Sequence, residues 1–315
     1  MDSHIRPVIS VVVVTYNSSI YVKETLDSIF NQDYDGPIEL IISDDNSTDD
    51  TIEVCKQWLS EYQDRFVNKK IIRTPKNLGI CGNYNFALNA ISGEWVKYIA
   101  GDDILMPNAL SYYMHMVSQT GDKAFCGAVI TFNDNPRLDV ENAQYGYRLL
   151  AERLLDDSDP DVQHYNLLFA HGYGIVEGPS LFIHVQSLRD LGGMDERYPM
   201  LEDMTFALNW TKTGRHLGVI KKPLVKYREY TESVSKKFKL MYFQKMTYRA
   251  LYSARSDFYW RRKKYLKSWN WYLMKTILKY DQPTLKDKIL KIMILLLNIQ
   301  MYVDKVKWIY SKITL

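Results

Sequence analysis

Three pairs of neighbouring carboxylates could do chemistry in this sequence: Asp44-Asp45, Asp102-Asp103 and Glu202-Asp203. Adjacent ionised carboxylates are costly in a folded protein unless hydrogen bonds or a cation balance their charge. A hard divalent ion that bridges a diphosphate is the natural partner for Asp102-Asp103, since Mg²⁺ and Mn²⁺ prefer oxygen ligands. These residues therefore predict a site for a metal ion and a diphosphate.

Each pair also has a structural interpretation. Aspartate is a preferred N-cap residue, so Asp102-Asp103 could instead cap a helix that begins near Met106. Asp44-Asp45 could form a polar turn, or one carboxylate could accept the imide N–H of a uracil ring. Ser47 is expected to cap the next helix, which would leave both aspartates free for a ligand. Glu202-Asp203 stands at a predicted helix start, where the dipole favours an acid, or it could supply a general base for an acceptor hydroxyl.

The elements that must position these residues alternate between strands and helices. The nearly continuous β-branched run at residues 8–14 indicates a strand that is buried on both faces. The predicted strands cover residues 8–14, 38–43, 69–73, 94–100 and 124–132, and helices are predicted at 20–32, after 47–50 and at 80–91. This alternation predicts an α/β fold with a mostly parallel, doubly wound sheet, whose ligands bind beyond the carboxyl ends of the strands.

Polar segments follow three of these strands directly, at residues 15–17, 44–46 and 101–103, and are expected to converge. The run 47–50 (Ser-Thr-Asp-Asp) reads as a capping box, and Pro107 suits the first turn of a helix. Beyond residue 135 the pattern is less regular. Helices are predicted at 141–155 and 201–213, extended chain at 173–186 and 215–229, and aromatic, basic helices from 235 onward.

Four blocks resemble, in order and spacing, those of family 2 glycosyltransferases over about residues 8–232. The blocks are ISVVVVTYN (9–17), DDNSTD (44–49), NLG (77–79) with GE (93–94) and AGDD (100–103), and GGMDE (192–196) leading to Glu202-Asp203. One such block is weak evidence, but four in order are highly specific. The resemblance implies a GT-A fold, a Rossmann-like sheet flanked by helices, and inverting transfer of a sugar from a nucleotide diphosphate.

The resemblance also implies roles for the matching residues. Those expected to bind the nucleotide sugar are Thr15, Tyr16, Asn17, Asp45, Asn77, Gly79, Asp102 and Arg228. Asp103 would hold Mg²⁺ or Mn²⁺, Asp203 would be the catalytic base, and Glu202 would support it or contact the acceptor. The sequence departs from the family pattern at Ala100, where relatives have an aspartate. It departs again at Tyr230, which replaces a frequent histidine and puts a third metal-side ligand in doubt.

Charge and composition divide the chain of 315 residues, 46% of them hydrophobic, into two parts. Residues 236–315 hold 19 Lys/Arg and four acids, a net charge of +15, whereas the rest holds 21 and 33, a net charge of −12. We predict a catalytic domain at 1–234, with a nucleotide-sugar half at about 1–105 and an acceptor half at about 106–234. A basic, aromatic helical extension would follow at 235–315 and meet an anionic partner.

The extension suits the headgroup zone of an anionic membrane, where aromatic and basic side chains are favoured. The apolar tract 289–303 contains Lys291, Asn298 and Gln300 and is shorter than the roughly 20 residues that a span needs. Peripheral attachment to the inner face of the cell membrane is therefore expected. The alternative is a helical hairpin that packs on the catalytic domain or forms a homo-oligomer. No motif supports nucleic-acid binding.

Cysteine use and the N-terminus indicate a cytoplasmic protein. Cys55, Cys81 and Cys126 are widely spaced and odd in number, so they match neither a disulfide framework nor a zinc site. The polar start of the chain does not resemble a signal peptide.

The prediction from sequence is a non-processive, metal-dependent glycosyltransferase with UDP as the expected nucleotide. Its acceptor would be a saccharide hydroxyl, on a polyprenyl-diphosphate-linked saccharide, in surface-polysaccharide synthesis. The sequence lacks the Gln-x-x-Arg-Trp motif of processive synthases. Two alternatives remain open: a sugar nucleotidyltransferase, for which a Gly-rich phosphate loop is missing, and an inactive membrane-attached module that binds nucleotide sugars.

Overall fold

A computed structural model of the chain describes residues 6–62, 64–132, 154–169, 176–229 and 240–277. The chain forms two compact units, Met1–Lys237 and Phe238–Leu315. Most of the predicted helix at 141–155, Tyr230 and the apolar tract 289–303 lie outside the described residues.

The first unit is built on a mixed sheet of eight strands in the order β3-β2-β1-β4-β7-β6-β8-β5. The strands are β1 Ile9–Thr15, β2 Ile38–Asp44, β3 Asn68–Arg73, β4 Trp95–Ala100, β5 Ile104–Leu105, β6 Ala124–Phe132, β7 Phe182–His184 and β8 Gly218–Arg228. Strands β3, β2, β1 and β4 run parallel, as do β6 and β8. Strand β7 is antiparallel to both β4 and β6, and β5 is antiparallel to β8. The predicted α/β class is confirmed.

Helices flank this sheet, as the periodicity predicted. In the first unit they are α1 Val22–Phe30, α2 Thr51–Glu61, α3 Gly79–Leu88, α4 Ala109–Thr120, α5 Pro160–Phe169, α6 Val185–Leu191 and α7 Glu202–Lys212. Every residue of β1 from Ile9 to Val13 is fully buried. Since successive strand side chains point to opposite faces, both faces of the sheet are covered there. Burial of each large aliphatic side chain stabilises the fold by about 1.5–3 kcal/mol.

A buried carboxylate also joins the parallel strands. Glu39 of β2 is fully buried, and its oxygens accept hydrogen bonds from Ser10 Oγ of β1 at 2.5 Å and from Asn68 Nδ2 of β3 at 2.9 Å. The backbone N–H and hydroxyl of Ser92 donate to it at 2.9 and 2.8 Å, and Lys70 Nζ lies 3.3 Å away. The carboxylate therefore links three strands and the segment that leads into β4.

Two local predictions are wrong. Ser47 does not cap α2, because no side chain caps that helix at Asp50, and Asp49 Oδ1 accepts the N–H of Thr51 at 3.1 Å instead. The segment 173–186 is extended only in part, since it includes a 3₁₀ helix at Gly178–Ser180 and the start of α6. Among the described residues of this segment, 176–186, the one strand is β7, which has three residues and pairs with strands distant in the sequence, as a local pattern does not reveal. Helix α5 was not predicted.

The second unit contains a helical hairpin of α8 Leu240–Arg261 and α9 Tyr265–Ile277. The turn between them includes Lys263 with φ 54°, and the N–H of Lys264 donates to the carbonyl of Tyr259 at 2.9 Å. Aromatic, basic helices were predicted here and are confirmed over 240–277. Along the part of the chain that the structure describes, no helix combines the length and apolarity needed to cross a membrane.

Candidate active site

Hydrogen bonds join the loops that follow β1 and β2. The N–H of Asn17 donates to Ser47 Oγ at 2.9 Å, and Asn17 Oδ1 accepts the N–H of Thr48 at 2.8 Å. Asn17 has φ 53°, a left-handed conformation that asparagine tolerates better than most residues. Tyr16, next to it, keeps 45% of its surface exposed and is available to a ligand.

Asp44 is fully buried and is bound by the protein itself. Its carboxylate accepts hydrogen bonds from Thr15 Oγ1 at 3.0 Å, from the N–H of Ser47 at 2.9 Å and from the Ser47 hydroxyl. Arg73 Nε lies 3.4 Å from Asp44 Oδ2. The expectation that Asp44 stays free for a ligand is therefore wrong, and Thr15 is likewise engaged with this carboxylate.

Asp45 holds the segment that precedes α3. Its Oδ1 accepts from Thr74 Oγ1 at 3.0 Å and from the N–H of Leu78 at 2.8 Å, and its Oδ2 accepts from the N–H of Gly79 at 2.9 Å. Asn77 Oδ1 shares the Gly79 N–H at 3.1 Å. Asp45 is thus not left free as expected, although Oδ2 retains a lone pair after one hydrogen bond. Its contact with a nucleotide base stays a prediction.

Helix α3 connects the nucleotide-side loops to the block at 192–203. Gly79 has φ 76°, and a Cβ placed there would lie 3.3 Å from Pro199. The N–H of Cys81 donates to the carbonyl of Pro199 at 3.2 Å. Asn85 bonds the backbone of Met194 twice, accepting its N–H at 2.7 Å and donating to its carbonyl at 2.9 Å. The third and fourth sequence blocks are therefore neighbours.

Asp103 is fully buried directly after β4 and carries an unsatisfied oxygen. Its Oδ1 accepts the N–H of Arg228 at 2.9 Å, while Oδ2 is buried without a hydrogen-bond partner. Burial and then the charge of Asp102 raise the pKa of Asp103 well above its usual value. A buried carboxylate oxygen without a partner is costly, and a cation would satisfy it.

Arg228 at the end of β8 is almost fully buried against the Asp102-Asp103 turn. Its Nε donates to the carbonyl of Asp102 at 2.9 Å, and its Nη2 donates to Glu24 Oε2 at 2.5 Å. The guanidinium lies 4.3 Å from the ring centroid of Tyr21 and 4.5 Å from that of Phe132. Through these contacts Arg228 stabilises the Asp102-Asp103 turn. Its predicted contact with a phosphate stays a prediction.

Asp102 and Asp103 suit a divalent ion that takes only one or two ligands from the protein and its other ligands from the substrate phosphates. Among the residues that the structure describes, no group of three or more His, Cys, Asp or Glu side chains is arranged to hold a metal ion. Mg²⁺ is commonly bound through one or two carboxylates together with phosphate oxygens and water. Asp103, with its orphaned Oδ2, and its neighbour Asp102 match that smaller ligand set.

Three carboxyl groups gather near the first turn of α7. Burial and then the charge of Asp203 raise the pKa of Glu177 to about 7 and that of Glu202 to about 8. Burial raises the pKa of Asp203 to about 6, while the backbone N–H groups of Met204 and Gly178 oppose this rise. Glu202 Oε2 is buried without a partner. The hydrogen bonds from the backbone N–H groups favour the ionised form of Asp203.

Gly178 and Lys97 fix the segment beside these carboxyls. A Cβ at Gly178 would lie 2.7 Å from Glu202 Oε1, so a larger residue at this position would displace the Glu202 carboxyl. Lys97 of β4 is fully buried, and its Nζ donates to the carbonyls of Tyr98 at 2.7 Å, Leu181 at 3.4 Å and Pro179. Burial lowers the pKa of Lys97 to about 7, and the charge of Asp103 opposes the shift.

The Asp102-Asp103 and Glu202-Asp203 pairs therefore belong to one region of the fold. Burial raises the pKa of Tyr84, and the negative charges of Glu202 and Asp103 raise it further. The Tyr84 hydroxyl therefore lies near both carboxyl groups. Sequence reasoning missed Glu177 and Lys97. Lys97 carried a signal, a charged residue inside an apolar strand, whereas Glu177 stands in a segment without a clear pattern.

Residues 10–174 match the model of the family described as Glycosyl transferase family 2. The chain is 36% identical over 132 residues to the GalNAc(5)-diNAcBac-PP-undecaprenol beta-1,3-glucosyltransferase of Campylobacter jejuni. This alignment covers 41% of this chain and 40% of that protein. It is 24% identical over 234 residues to the putative glycosyltransferase EpsE of Bacillus subtilis, and this alignment covers 73% of this chain and 76% of EpsE. The chain thus matches about two fifths of the length of the Campylobacter relative.

Solved structures show the same fold. S. aureus TarS in complex with UDP-GlcNAc aligns with a TM-score of 0.58 and 18% identity over 91% of this chain and 71% of TarS. The mannosyltransferase PcManGT of Pyrobaculum calidifontis, in complex with GDP-Man and Mn²⁺, aligns with a TM-score of 0.53 and 21% identity over 80% and 64%. The predicted GT-A fold is confirmed. Because the family model matches more than half of the chain, this protein belongs to glycosyl transferase family 2.

Proposed function

We propose that this protein transfers a sugar from a nucleotide diphosphate, with UDP as the expected nucleotide, to a saccharide hydroxyl with inversion at the anomeric carbon. The observation that carries the proposal is the group of carboxyls at Glu177, Glu202 and Asp203. The pKa values of all three are raised by burial, while hydrogen bonds from the backbone N–H groups of Met204 and Gly178 favour the ionised form of Asp203. When environments separate the pKa values of neighbouring acids, the acids can take distinct roles, and Asp203 suits a base at neutral pH.

The reaction is a single displacement. The Asp203 carboxylate accepts the proton of the acceptor hydroxyl while the hydroxyl oxygen attacks the anomeric carbon from the face opposite the diphosphate. The bond between the anomeric carbon and the diphosphate oxygen breaks, and its electron pair leaves with the nucleotide diphosphate. Glu202, protonated below pH about 8, supports Asp203 or donates to the acceptor without adding a second charge.

Thr15, Tyr16, Asn17, Asp45, Asn77, Gly79, Asp102 and Arg228 are proposed to form or support the nucleotide-sugar pocket. Asp103, together with Asp102, would hold Mg²⁺ or Mn²⁺. When bound, such an ion would offset the negative charge on the leaving diphosphate. The complexes of TarS with UDP-GlcNAc and of PcManGT with GDP-Man and Mn²⁺ support this kind of donor and metal.

A polyprenyl-diphosphate-linked saccharide is the proposed acceptor, because the name of the Campylobacter relative specifies an undecaprenol-linked substrate. Non-processive transfer at the inner face of the cell membrane, in surface-polysaccharide synthesis, would follow. Residues 1–234 would then form the catalytic domain, and 235–315 would be the membrane-surface or self-association unit. Membership of a glycosyltransferase family decides against the nucleotidyltransferase alternative.

The test uses the purified full chain with UDP-glucose, UDP-GlcNAc, UDP-GalNAc and GDP-mannose, each with Mn²⁺ and with EDTA. We expect metal-dependent release of the nucleotide diphosphate from one donor. Asp203→Asn should keep UDP affinity in calorimetry but lose roughly 100-fold or more in turnover. Asp190→Asn, an exposed carboxylate of α6, is the matched control. Nucleotide binding without turnover in the wild type would support the inactive module instead.

A further inference from the structure

The α8–α9 hairpin carries a row of exposed aromatic side chains. Trp260, Tyr265, Trp269 and Tyr272 keep 61, 53, 58 and 50% of their surfaces exposed. The last three are four and three positions apart, which places them on one face of α9. The rings of Trp260 and Tyr265 lie 4.9 Å apart and those of Trp269 and Tyr272 5.7 Å apart. They border a groove of about 690 Å³.

Four consecutive cations occupy the turn beside this row. Arg261, Arg262, Lys263 and Lys264 are all exposed and stand between Trp260 and Tyr265 in the sequence. Residues 240–277 contain nine Lys/Arg and a single acid, Asp257, so their net charge is +8. Asp257 Oδ2 lies 3.1 Å from Arg261 Nε, and this single acid leaves the hairpin with a large excess of positive charge.

Besides the ring contact between Trp260 and Tyr265, further contacts join the two helices of the hairpin. Ser256 Oγ donates to the carbonyl of Ser268 at 2.9 Å, and Lys275 Nζ donates to Ser253 Oγ at 3.1 Å. The rings of Tyr252 and Trp271 lie 5.2 Å apart. The hairpin thus presents its aromatic row and its cations on an element that is already held together.

We infer that this row and the turn dock the protein on an anionic lipid surface. Tryptophan and tyrosine are favoured at the headgroup level, where the ring is partly buried and its polar group stays hydrated. Adjacent lysines and arginines gain from lipid phosphates. Exposed aromatics also bind sugars, but a neutral saccharide would leave four neighbouring cations unmatched. Charge therefore favours lipid. The inference rests on the proposed membrane-surface location and is independent of the transfer chemistry.

Co-sedimentation of the full chain with vesicles tests the inference and needs no nucleotide sugar. We expect binding to phosphatidylcholine vesicles that contain phosphatidylglycerol, weak binding to pure phosphatidylcholine, and loss of binding as salt rises. Lys263→Asn with Lys264→Gln should weaken binding roughly 30-fold, from about 1 kcal/mol per cation and a tenfold change per 1.4 kcal/mol. Asparagine at 263 suits the left-handed backbone there.

Trp260→Ser with Trp269→Ser should weaken the same binding roughly tenfold or more, since it removes two large apolar side chains from the interface. The matched controls change the first unit: Lys56→Gln with Lys221→Gln removes the same charge, and Tyr165→Ser removes an aromatic side chain that is 52% exposed. Both should bind like the wild type. The inference is overturned if the wild-type chain ignores anionic vesicles, or if both folded hairpin variants bind as tightly as their controls. Capture of a soluble dextran fragment by the hairpin in place of vesicles would also overturn it.

Discussion

At the scale of single residues, the ionisation of Asp203 makes a prediction about pH. Burial raises its pKa to about 6, and the carboxylate must be ionised to accept the acceptor's proton. Transfer should therefore increase as the pH rises through about 6 and level off above it. The dependence of kcat/KM on pH reports this ionisation in the free enzyme. Asp190→Asn should keep the same profile, and a rate that is constant across this range would remove Asp203 from the role of base.

Lys97 is predicted to position the catalytic segment without touching substrate. Lys97→Met keeps the length of the side chain but removes the donor to the carbonyls of Pro179 and Leu181. The Gly178 N–H, which holds the pKa of Asp203 down, should then shift. We expect turnover to fall roughly 10- to 100-fold, as for other small misplacements of catalytic groups, with UDP affinity unchanged.

The pH profile separates this role from a purely structural one, because the rise in activity should move to higher pH in Lys97→Met. Gly178→Ala should behave similarly, since its Cβ would lie 2.7 Å from Glu202 Oε1. Lys123→Met is the matched control, as Lys123 is exposed and its Nζ stacks over Trp95 at 5.6 Å. Wild-type turnover and an unshifted profile in folded Lys97→Met would contradict the prediction.

Residue identity predicted where the chemistry lies better than it predicted what each side chain contacts. The aspartates after β2 were expected to be free, but Asp44 and Asp45 hold the neighbouring loops. Whether a carboxylate at a strand end faces a ligand or its own chain depends on loop conformations such as that of Asn17. Glu177 was missed because its importance comes from distant Asp203 and Glu229, not from its sequence neighbours.

At the scale of elements, Glu39 is predicted to make the parallel strands sensitive to acid. Although burial alone would raise the pKa of Glu39, hydrogen bonds from Ser10 and Ser92 and the charge of Lys70 lower it below its ordinary value of 4.5. Its stabilisation is therefore fully present above about pH 4.5 and is lost as the pH falls through the lowered pKa. Glu39→Gln should cost about 2–4 kcal/mol in the free energy of unfolding near neutral pH.

Urea unfolding across the acid range checks this prediction. The difference between the wild type and Glu39→Gln should shrink as the pH falls, because the wild-type carboxylate becomes protonated. Glu53→Gln, on the exposed side of α2, should show neither the loss nor the pH dependence. A difference that stays constant with pH would show that the carboxylate's charge is not what stabilises the strands.

The strands of the first half could be predicted because β1 and β2 are rich in β-branched and other apolar residues, and both proved buried on two faces. The second half was harder. Strand β7 has only three residues, and it inserts antiparallel between β4 and β6. Its position depends on pairing with strands that are about 60 and 90 residues distant, which local periodicity does not record.

At the scale of the whole molecule, ligand binding should appear as stability. UDP with Mn²⁺ should raise the unfolding temperature of the full chain, because a ligand that binds only the folded state stabilises it. Asp103→Asn should lose the part of this shift that EDTA removes, since the orphaned Oδ2 is the atom suited to the ion. Asp190→Asn should keep the full shift. An equal shift with Mn²⁺ and with EDTA in the wild type would contradict a metal-assisted site.

One consequence of the buried lysine concerns how such enzymes can be recombined. Lys97 belongs to β4, which precedes the Asp102-Asp103 turn, yet its Nζ donates hydrogen bonds to the backbone of the segment beside Glu202 and Asp203. A chimera that joins the N-terminal part of this chain to the C-terminal part of a relative would pair Lys97 with a different segment in place of the carbonyls of Pro179 and Leu181. Swaps of donor preference should therefore succeed when residue 97 and the segment 177–181 come from the same parent.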